Sequence, residues 1–170
     1  MDLVLTFDDN FSILLNLLGF TQGVTLGILF LALHVKRKKD TLFMGLFLLF
    51  LSLQSLWPFI SDTDFGFTNP ELFLLPINFS WLLFPLFFIY SHDICIFSSN
   101  KAPYWILYPG LLSLIAQIVI YFQPYLAKVA IAQSLWYDIL FTYMGILYSL
   151  CIVLWNLTVC NEHKIEAENV

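Results

Sequence analysis

Five stretches of about 20 mostly apolar residues, joined by short polar or proline-containing segments, make up most of this 170-residue chain. They lie near residues 11–34, 42–60, 72–91, 104–122 and 135–159. Because the hydrocarbon core of a bilayer is about 30 Å thick, a helix of about 20 apolar residues is long enough to cross it. We therefore predict an all-α fold, an integral membrane helical bundle with about five transmembrane helices.

The composition excludes an ordinary soluble domain. Hydrophobic residues make up 60% of the chain and charged residues 11%, whereas about 25% of residues are charged in a typical soluble domain. A domain of about 150 residues buries only about 68–70% of the surface that its unfolded chain exposes. The remaining apolar surface must contact lipid, so the bilayer is the first predicted partner of this chain.

Prolines distinguish two of the five stretches from the others. The third contains Pro76 and Pro85, and the fourth contains Pro109. A proline inside a transmembrane helix kinks it and frees carbonyl groups that neighbouring helices must satisfy. The sequence therefore predicts that the third and fourth helices are kinked and lie in the bundle, surrounded by the other helices.

The distribution of basic residues predicts the orientation of the chain in the membrane. Six basic residues fall on one side of the predicted spans, namely Lys36, Arg37, Lys38, Lys39, Lys101 and Lys164, and Lys128 falls on the other side. Short cytoplasmic loops carry the excess of lysine and arginine. We therefore expect an external N-terminus, one multi-pass domain over residues 1–160, and an acidic cytoplasmic tail over residues 161–170.

Several classes of function are disfavoured by the sequence. The net charge of -5 argues against direct contact with nucleic acid, which needs a basic surface. Catalytic patterns and phosphate-binding glycine loops do not occur, so we expect neither enzymatic activity nor a cofactor. Three widely spaced cysteines, Cys95, Cys151 and Cys160, predict free thiols rather than a disulfide framework.

Three glycines recur every four residues in the first helix. Gly19, Gly23 and Gly27 share one face, and small residues at this spacing allow two helix backbones to approach closely. We interpret the face as a helix-packing surface. A ligand groove and a homodimer seam are the alternatives.

Polar side chains at membrane depth are costly, and each is a candidate for a site. They are Gln22, Gln54, Asn78, Gln117, Asp138 and Asn156. For the amides we expect hydrogen bonds between helices, with a ligand pocket as the alternative. Asp138 lies near the start of the fifth helix, where the helix dipole favours a negative charge, and a ligand or proton site is its alternative role.

Two half-motifs lie at the predicted cytoplasmic ends of the third and fifth helices. His92 and Cys95 form one, and Cys160 and His163 form the other. Two cysteines and two histidines are a suitable tetrahedral ligand set for zinc. Because each half-motif is short and common, we favour interfacial histidines and reduced cysteines, and a shared zinc site is the alternative.

The order of motifs resembles the N-terminal membrane region of membrane-bound AraC-type transcription regulators, over essentially the whole chain. The motifs are Gly19-Phe20-x-Gln22-Gly23, the basic joint Lys36 to Lys39, Leu53 to Leu56, Pro85-Leu86-x-x-x-Tyr90, Tyr108-Pro109 and the charged joint after the fifth helix. Two positions differ from the family pattern. Phe84 replaces an expected glycine, and Ile106 replaces a frequent histidine, so a binding role for that histidine does not transfer to this chain.

The resemblance implies a sensor module in a bacterial inner membrane. Such regulators continue with two further spans and a cytoplasmic pair of DNA-binding helix-turn-helix units, and the charge-based orientation agrees with that arrangement. The stimulus would be a small molecule, a lipid or a protein partner. Two other functions stay open: a small transporter or permease subunit that uses the proline-containing helices and Asp138, and a membrane enzyme that acts on lipid.

Overall fold

The computed structural model describes residues 7–37, 41–56, 73–94 and 103–168, with side chains described for 14–36, 41–56, 73–92 and 103–158. Within these ranges the chain forms helices and no strand, so the all-α prediction is confirmed. The helices are α1 Phe7–Arg37, α2 Leu42–Gln54, α3 Leu83–Ile94, α4 Tyr108–Tyr121, α5 Tyr125–Ala132, α6 Leu135–Asp138 and α7 Met144–Glu168. A 3₁₀ turn, Tyr104–Leu107, precedes α4, and a π turn, Ile139–Tyr143, joins α6 to α7.

Three helical segments in the described part of the chain are long and apolar enough to cross a membrane. They are Leu14–Lys36, Tyr104–Tyr121 and Leu135–Thr158. Leu42–Gln54 and Leu83–His92 are apolar but shorter. By length and composition, the first, fourth and fifth predicted helices are therefore candidate membrane spans, and the count of five spans and the orientation stay predictions.

The outer surface of the bundle is apolar along its length. Leu112 of α4 is 70% exposed, and Leu154 of α7 is 62% exposed. Water-exposed surfaces of soluble monomers rarely carry continuous apolar faces of this extent. The exposed leucines are therefore placed where lipid would cover them.

Helix α3 forms the centre of the bundle, as the sequence predicts for the third helix. Its Phe88 is 2% exposed and its Ile89 is fully buried, and they pack with Ile106 and with Ile152 of α7. The same prediction is wrong for α4, because Gly110 and Gln117 are buried whereas most of its leucines and isoleucines face outward. A helix that is apolar on every side gives no sequence signal for which face packs.

Pro85 and Pro109 lie in the first turns of helices instead of kinking them, which corrects the sequence prediction. Pro109 is at the start of α4, and Pro85 is the third residue of α3. A proline in the first turn of a helix costs no hydrogen bond, because the amide groups there have no partner within the helix. Pro76 lies before α3 in a non-helical segment over residues 73–82. The predicted helix 72–91 is therefore helical only from Leu83 onward.

Helices α1 and α2 pack as a close antiparallel pair through glycine. A Cβ atom added at Gly27 would lie 2.7 Å from Leu49 Cγ and 3.1 Å from the Gly45 carbonyl oxygen, and one added at Gly23 would overlap the Ser52 hydroxyl. The packing role predicted for these two glycines is confirmed, and the partner is α2 of the same chain. Gly19 was predicted to share it, but a Cβ there meets no atom of the described residues within 4 Å.

Candidate functional site

The non-helical residues 73–82, which we call the inner segment, lie inside the helical bundle. Leu74, Phe79 and Leu82 are between 3% and 7% exposed, and Phe79 stacks on Phe50 of α2 with ring centroids 4.5 Å apart. Irregular backbone at membrane depth is tolerated where protein groups satisfy its amides and carbonyls. The partners of this segment therefore define the site.

Two glutamines from different helices satisfy the backbone of the inner segment. Gln54 Oε1, at the end of α2, accepts a hydrogen bond from the Phe79 amide at 3.2 Å. Gln117 of α4 donates from Nε2 to the Asn78 carbonyl at 2.8 Å and accepts the Asn78 amide on Oε1 at 3.2 Å. A carboxamide carries a donor and an acceptor side by side. Gln117 therefore pairs with Asn78 as a neighbouring strand would.

Short polar side chains complete the arrangement and connect it to the last helix. The Ser80 hydroxyl donates to Asn78 Oδ1 at 2.7 Å and accepts from Gln54 Nε2 at 3.3 Å. The Ser149 hydroxyl of α7 donates to the Ser80 carbonyl at 2.8 Å. We call Gln54, Asn78, Ser80, Gln117 and Ser149 the polar cluster. It joins α2, the inner segment, α4 and α7.

The first residue of the inner segment is held by a buried lysine. Lys128 of α5 is 5% exposed and donates from Nζ to the Phe73 carbonyl at 3.1 Å. The ammonium group also lies 5.0 Å from the centre of the Tyr121 ring, a favourable position for a cation over an aromatic face. Sequence reasoning counted Lys128 as a loop charge. The signal that could have indicated burial is its isolation among apolar residues.

The structure brings together three of the six polar residues predicted from sequence. Gln54, Asn78 and Gln117 meet in the polar cluster, but the two glutamines bond the non-helical inner segment instead of a second helix. Asn156 donates from Nδ2 to the Ser91 hydroxyl at 3.1 Å and joins α7 to α3 at another level. Gln22 and Asp138 have exposed side chains. Asp138 lies in the first turn of the four-residue α6, near the start of the candidate span Leu135–Thr158, which is where the sequence placed it.

The last span contains an irregularity that the sequence did not indicate. The π turn Ile139–Tyr143 interrupts the helix between α6 and α7, and the Trp81 indole donates to the Leu140 carbonyl at 3.1 Å. A π turn displaces carbonyl groups from the regular α-helical ladder and is frequent at functional sites. The inner segment therefore contacts the last span at two levels, through Trp81 and through Ser80.

The alternative zinc site falls largely outside the described residues. Cys95 is not described, and Cys160 and His163 lie in α7 where side chains are not described. The His92 ring lies 5.8 Å from the Phe88 ring. Within the described ranges no group of three or more His, Cys, Asp or Glu side chains is placed to hold a metal ion. Cys151 is an exposed free thiol, as predicted.

The polar cluster consists of amides and hydroxyls. These groups donate and accept hydrogen bonds without changing charge near neutral pH, so the arrangement is suited to recognising an uncharged polar group. In the described part of the chain every buried side-chain nitrogen and oxygen has a hydrogen-bond partner. Comparisons of the chain with known family models, curated proteins and solved structures find no match. The functional interpretation therefore depends on this geometry and on the motif resemblance.

Proposed function

We propose that this chain is the transmembrane input module of a membrane-tethered transcription regulator in a bacterial inner membrane. In this proposal the chain binds a stimulus within the bundle and leaves DNA contact to a separate cytoplasmic part. The AraC-type motif resemblance supports the regulator class. The neutral chemistry of the polar cluster supports recognition of a stimulus over catalysis.

The observation that carries the proposal is the hydrogen bond from Ser149 to the Ser80 carbonyl. It connects the inner segment, which depends on four helices for its hydrogen bonds, to α7, which continues to Glu168. A ligand that favours one arrangement of the inner segment therefore favours one position of α7. Such a signal is a shift between two pre-existing arrangements, driven by the difference in ligand affinity between them.

The coding sequence that follows Val170 tests the class of protein. The proposal predicts two further spans and then a basic region with two helix-turn-helix units in the transcript that encodes this chain. A stop codon directly after Val170 would contradict it.

A variant of the same regulator tests the coupling. Ser149→Ala removes the hydroxyl that bonds the inner segment, and we expect it to change the basal transcription of a reporter gene. Thr158→Ala is the matched control, because the Thr158 hydroxyl bonds only the Trp155 carbonyl of its own helix among the described residues. Equal transcription from both variants and the parent would contradict a signal path through Ser149.

A small transporter is the second candidate, and the inner segment is the observation that favours it. Transporters bind substrate near the membrane centre at helices interrupted by irregular backbone, and residues 73–82 are irregular beside α3. The uncharged cluster would select uncharged solutes. Swelling of proteoliposomes in urea or glycerol distinguishes the two functions: a transporter accelerates it and loses that effect in Gln117→Leu, whereas an input module leaves it at the rate of protein-free liposomes.

A further inference from the structure

A groove runs between α3 and α7 on the lipid-facing side of the polar cluster. Its first part has a volume of about 290 Å³ and is lined by Gln54, Ser80 and Ser149 together with apolar residues. A second cavity, of about 230 Å³, reaches Asn156. Phe84 and Val153 line both cavities, so the two are adjacent, and we call them together the groove.

The sequence of α7 builds one wall of this groove. Ile146, Ser149, Leu150, Val153 and Asn156 line it and follow the three- and four-residue spacing of a single helix face. From Ser149 to Asn156 the helix rises about 10 Å. All five lie within the candidate span Leu135–Thr158. The groove is therefore a slot in the membrane-embedded surface, polar at one end and apolar along most of its length.

The polar end retains hydrogen-bonding capacity in two places. Gln54 Nε2 has two hydrogens, and among the described residues it donates one hydrogen bond, to Ser80. The Ser149 hydroxyl donates to the Ser80 carbonyl, which leaves its oxygen able to accept. Both groups bond Ser80 and line the same cavity. A donor and an acceptor in one cavity match a hydroxyl group, which accepts and donates through the same oxygen. A carbonyl group would use the donor alone.

The charge of the polar cluster and the direction in which the groove opens further restrict the ligand. The polar cluster contains no cation, and burying an unpaired carboxylate or phosphate in an apolar site is costly. Leu150 is 55% exposed and Phe84 is 40% exposed, so the groove opens sideways toward lipid. A molecule that reaches it has to dissolve in the bilayer.

We propose that this groove binds a single-chain membrane amphiphile with an uncharged hydroxyl headgroup, its hydroxyl between Gln54 and Ser149 and its hydrocarbon chain along Phe84 and Val153. This assignment names the stimulus class of the proposed input module, and its signalling role rests on that function. The ligand hydroxyl bonds the same Ser149 oxygen that donates to the Ser80 carbonyl, so occupancy of the groove acts directly on the contact between the inner segment and α7.

Photolabelling of the full chain in phosphatidylcholine proteoliposomes tests the proposal. The probes are 1-hexadecanol and palmitic acid, each with a diazirine at the same chain position, and labelled peptides are identified by mass spectrometry. We expect the alcohol to label residues 83–88 and 146–157 above the level on α4, whose outer face contacts bulk lipid. Unlabelled hexadecanol should compete, and the acid should label the groove no more than α4.

Two matched variants separate the groove from the surrounding lipid. Leu150→Trp fills the groove, whereas Leu147→Trp places the same ring on an exposed position of the same helix outside it; both leucines are more than half exposed, so both variants should fold. We expect the first to reduce groove labelling to the α4 level and the second to leave it unchanged. Gln54→Leu should weaken competition by hexadecanol about threefold to tenfold, the value of one neutral hydrogen bond.

Equal labelling by alcohol and acid, or equal labelling of both tryptophan variants, would overturn the proposal and assign the groove to bulk lipid. The labelling does not involve transcription. Specific labelling in a chain whose transcript encodes no DNA-binding region would therefore retain the binding site and reject the regulator. A transcript that encodes the DNA-binding region, in a chain that shows no specific labelling, would reject the binding site alone.

Discussion

At the scale of single residues, the side chains that matter most are those that hydrogen-bond a backbone group outside a helix, because lipid offers such a group no other partner. Hydrogen bonds between helix side chains in membranes average only about 0.6 kcal/mol, because both groups find other partners when they separate. Gln54 differs because its Oε1 satisfies the Phe79 amide of an irregular segment. A buried amide without a partner costs about 1–3 kcal/mol, so the loss of Gln54 should be dominated by that cost.

Gln54→Leu should therefore lower the free energy of unfolding by about 1–3 kcal/mol. Gln22→Leu is the control, because the Gln22 side chain is exposed on α1, and its effect should stay within about 0.5 kcal/mol. The measurement is reversible unfolding of each variant in mixed detergent micelles with increasing dodecyl sulfate. Equal stability of the two variants would mean that Gln54 does not hold the inner segment.

Which polar residues would meet was only partly predictable at this scale. Gln54, Asn78 and Gln117 stood out because amides at membrane depth are rare, but their separation in sequence gave no sign that they converge. Ser80 and Ser149 gave no signal of their own, since serine is common in membrane helices and bonds its own helix as readily as another. Ser80 and Ser149 bond each other's elements only because the inner segment passes beside α7.

At the scale of elements, α1 and α2 illustrate how small residues determine helix distance. The Gly27 and Gly45 positions face each other, and each added Cβ would lie 3.1 Å from the carbonyl oxygen of the other glycine. Glycine spacing predicted the face from sequence alone. It did not predict where the contact ends, because the end of the contact depends on where α2 stops.

Gly23→Leu should destabilise the bundle more than Leu26→Ala does. The new side chain at Gly23 overlaps Ser52, and overpacking of this kind costs about 1–3 kcal/mol, whereas Leu26 is 45% exposed. Gly19→Leu is the sharper control, since no atom of the described residues lies within 4 Å of a Cβ at that position and the added residue is the same. Thermal unfolding in detergent compares the three, and a loss at Gly19 as large as at Gly23 would contradict the contact.

The inner segment is the element that sequence analysis missed. Residues 72–91 are apolar almost throughout, so a helix and an irregular buried segment have the same composition and neither has a diagnostic period. Pro76, Asn78 and Pro85 all favour a break, but prolines also occur within transmembrane helices when neighbouring groups satisfy the freed carbonyls. An irregular segment is possible here because Gln54 and Gln117 hydrogen-bond its backbone. Their positions in the bundle are not evident from the sequence.

At the scale of the whole molecule, the third predicted crossing combines the inner segment with a short helix. Helix α3 has 12 residues, a length of about 18 Å against a hydrocarbon core of about 30 Å. The 73–82 segment precedes it and lies within the bundle. Both the proposed input role and the groove depend on this central position of the inner segment and α3 within the bundle.

The proposed input module predicts five crossings with the C-terminal end in the cytoplasm, and reporter fusions measure this topology directly. Alkaline phosphatase and green fluorescent protein would be fused in turn after Lys39, Asp64, Lys101, Lys128 and Lys164. The basic-residue bias predicts cytoplasmic fluorescence after Lys39, Lys101 and Lys164, and external phosphatase activity after Asp64 and Lys128. A cytoplasmic signal after Asp64, or an external one after Lys164, would contradict the five-span orientation and with it the proposed input module.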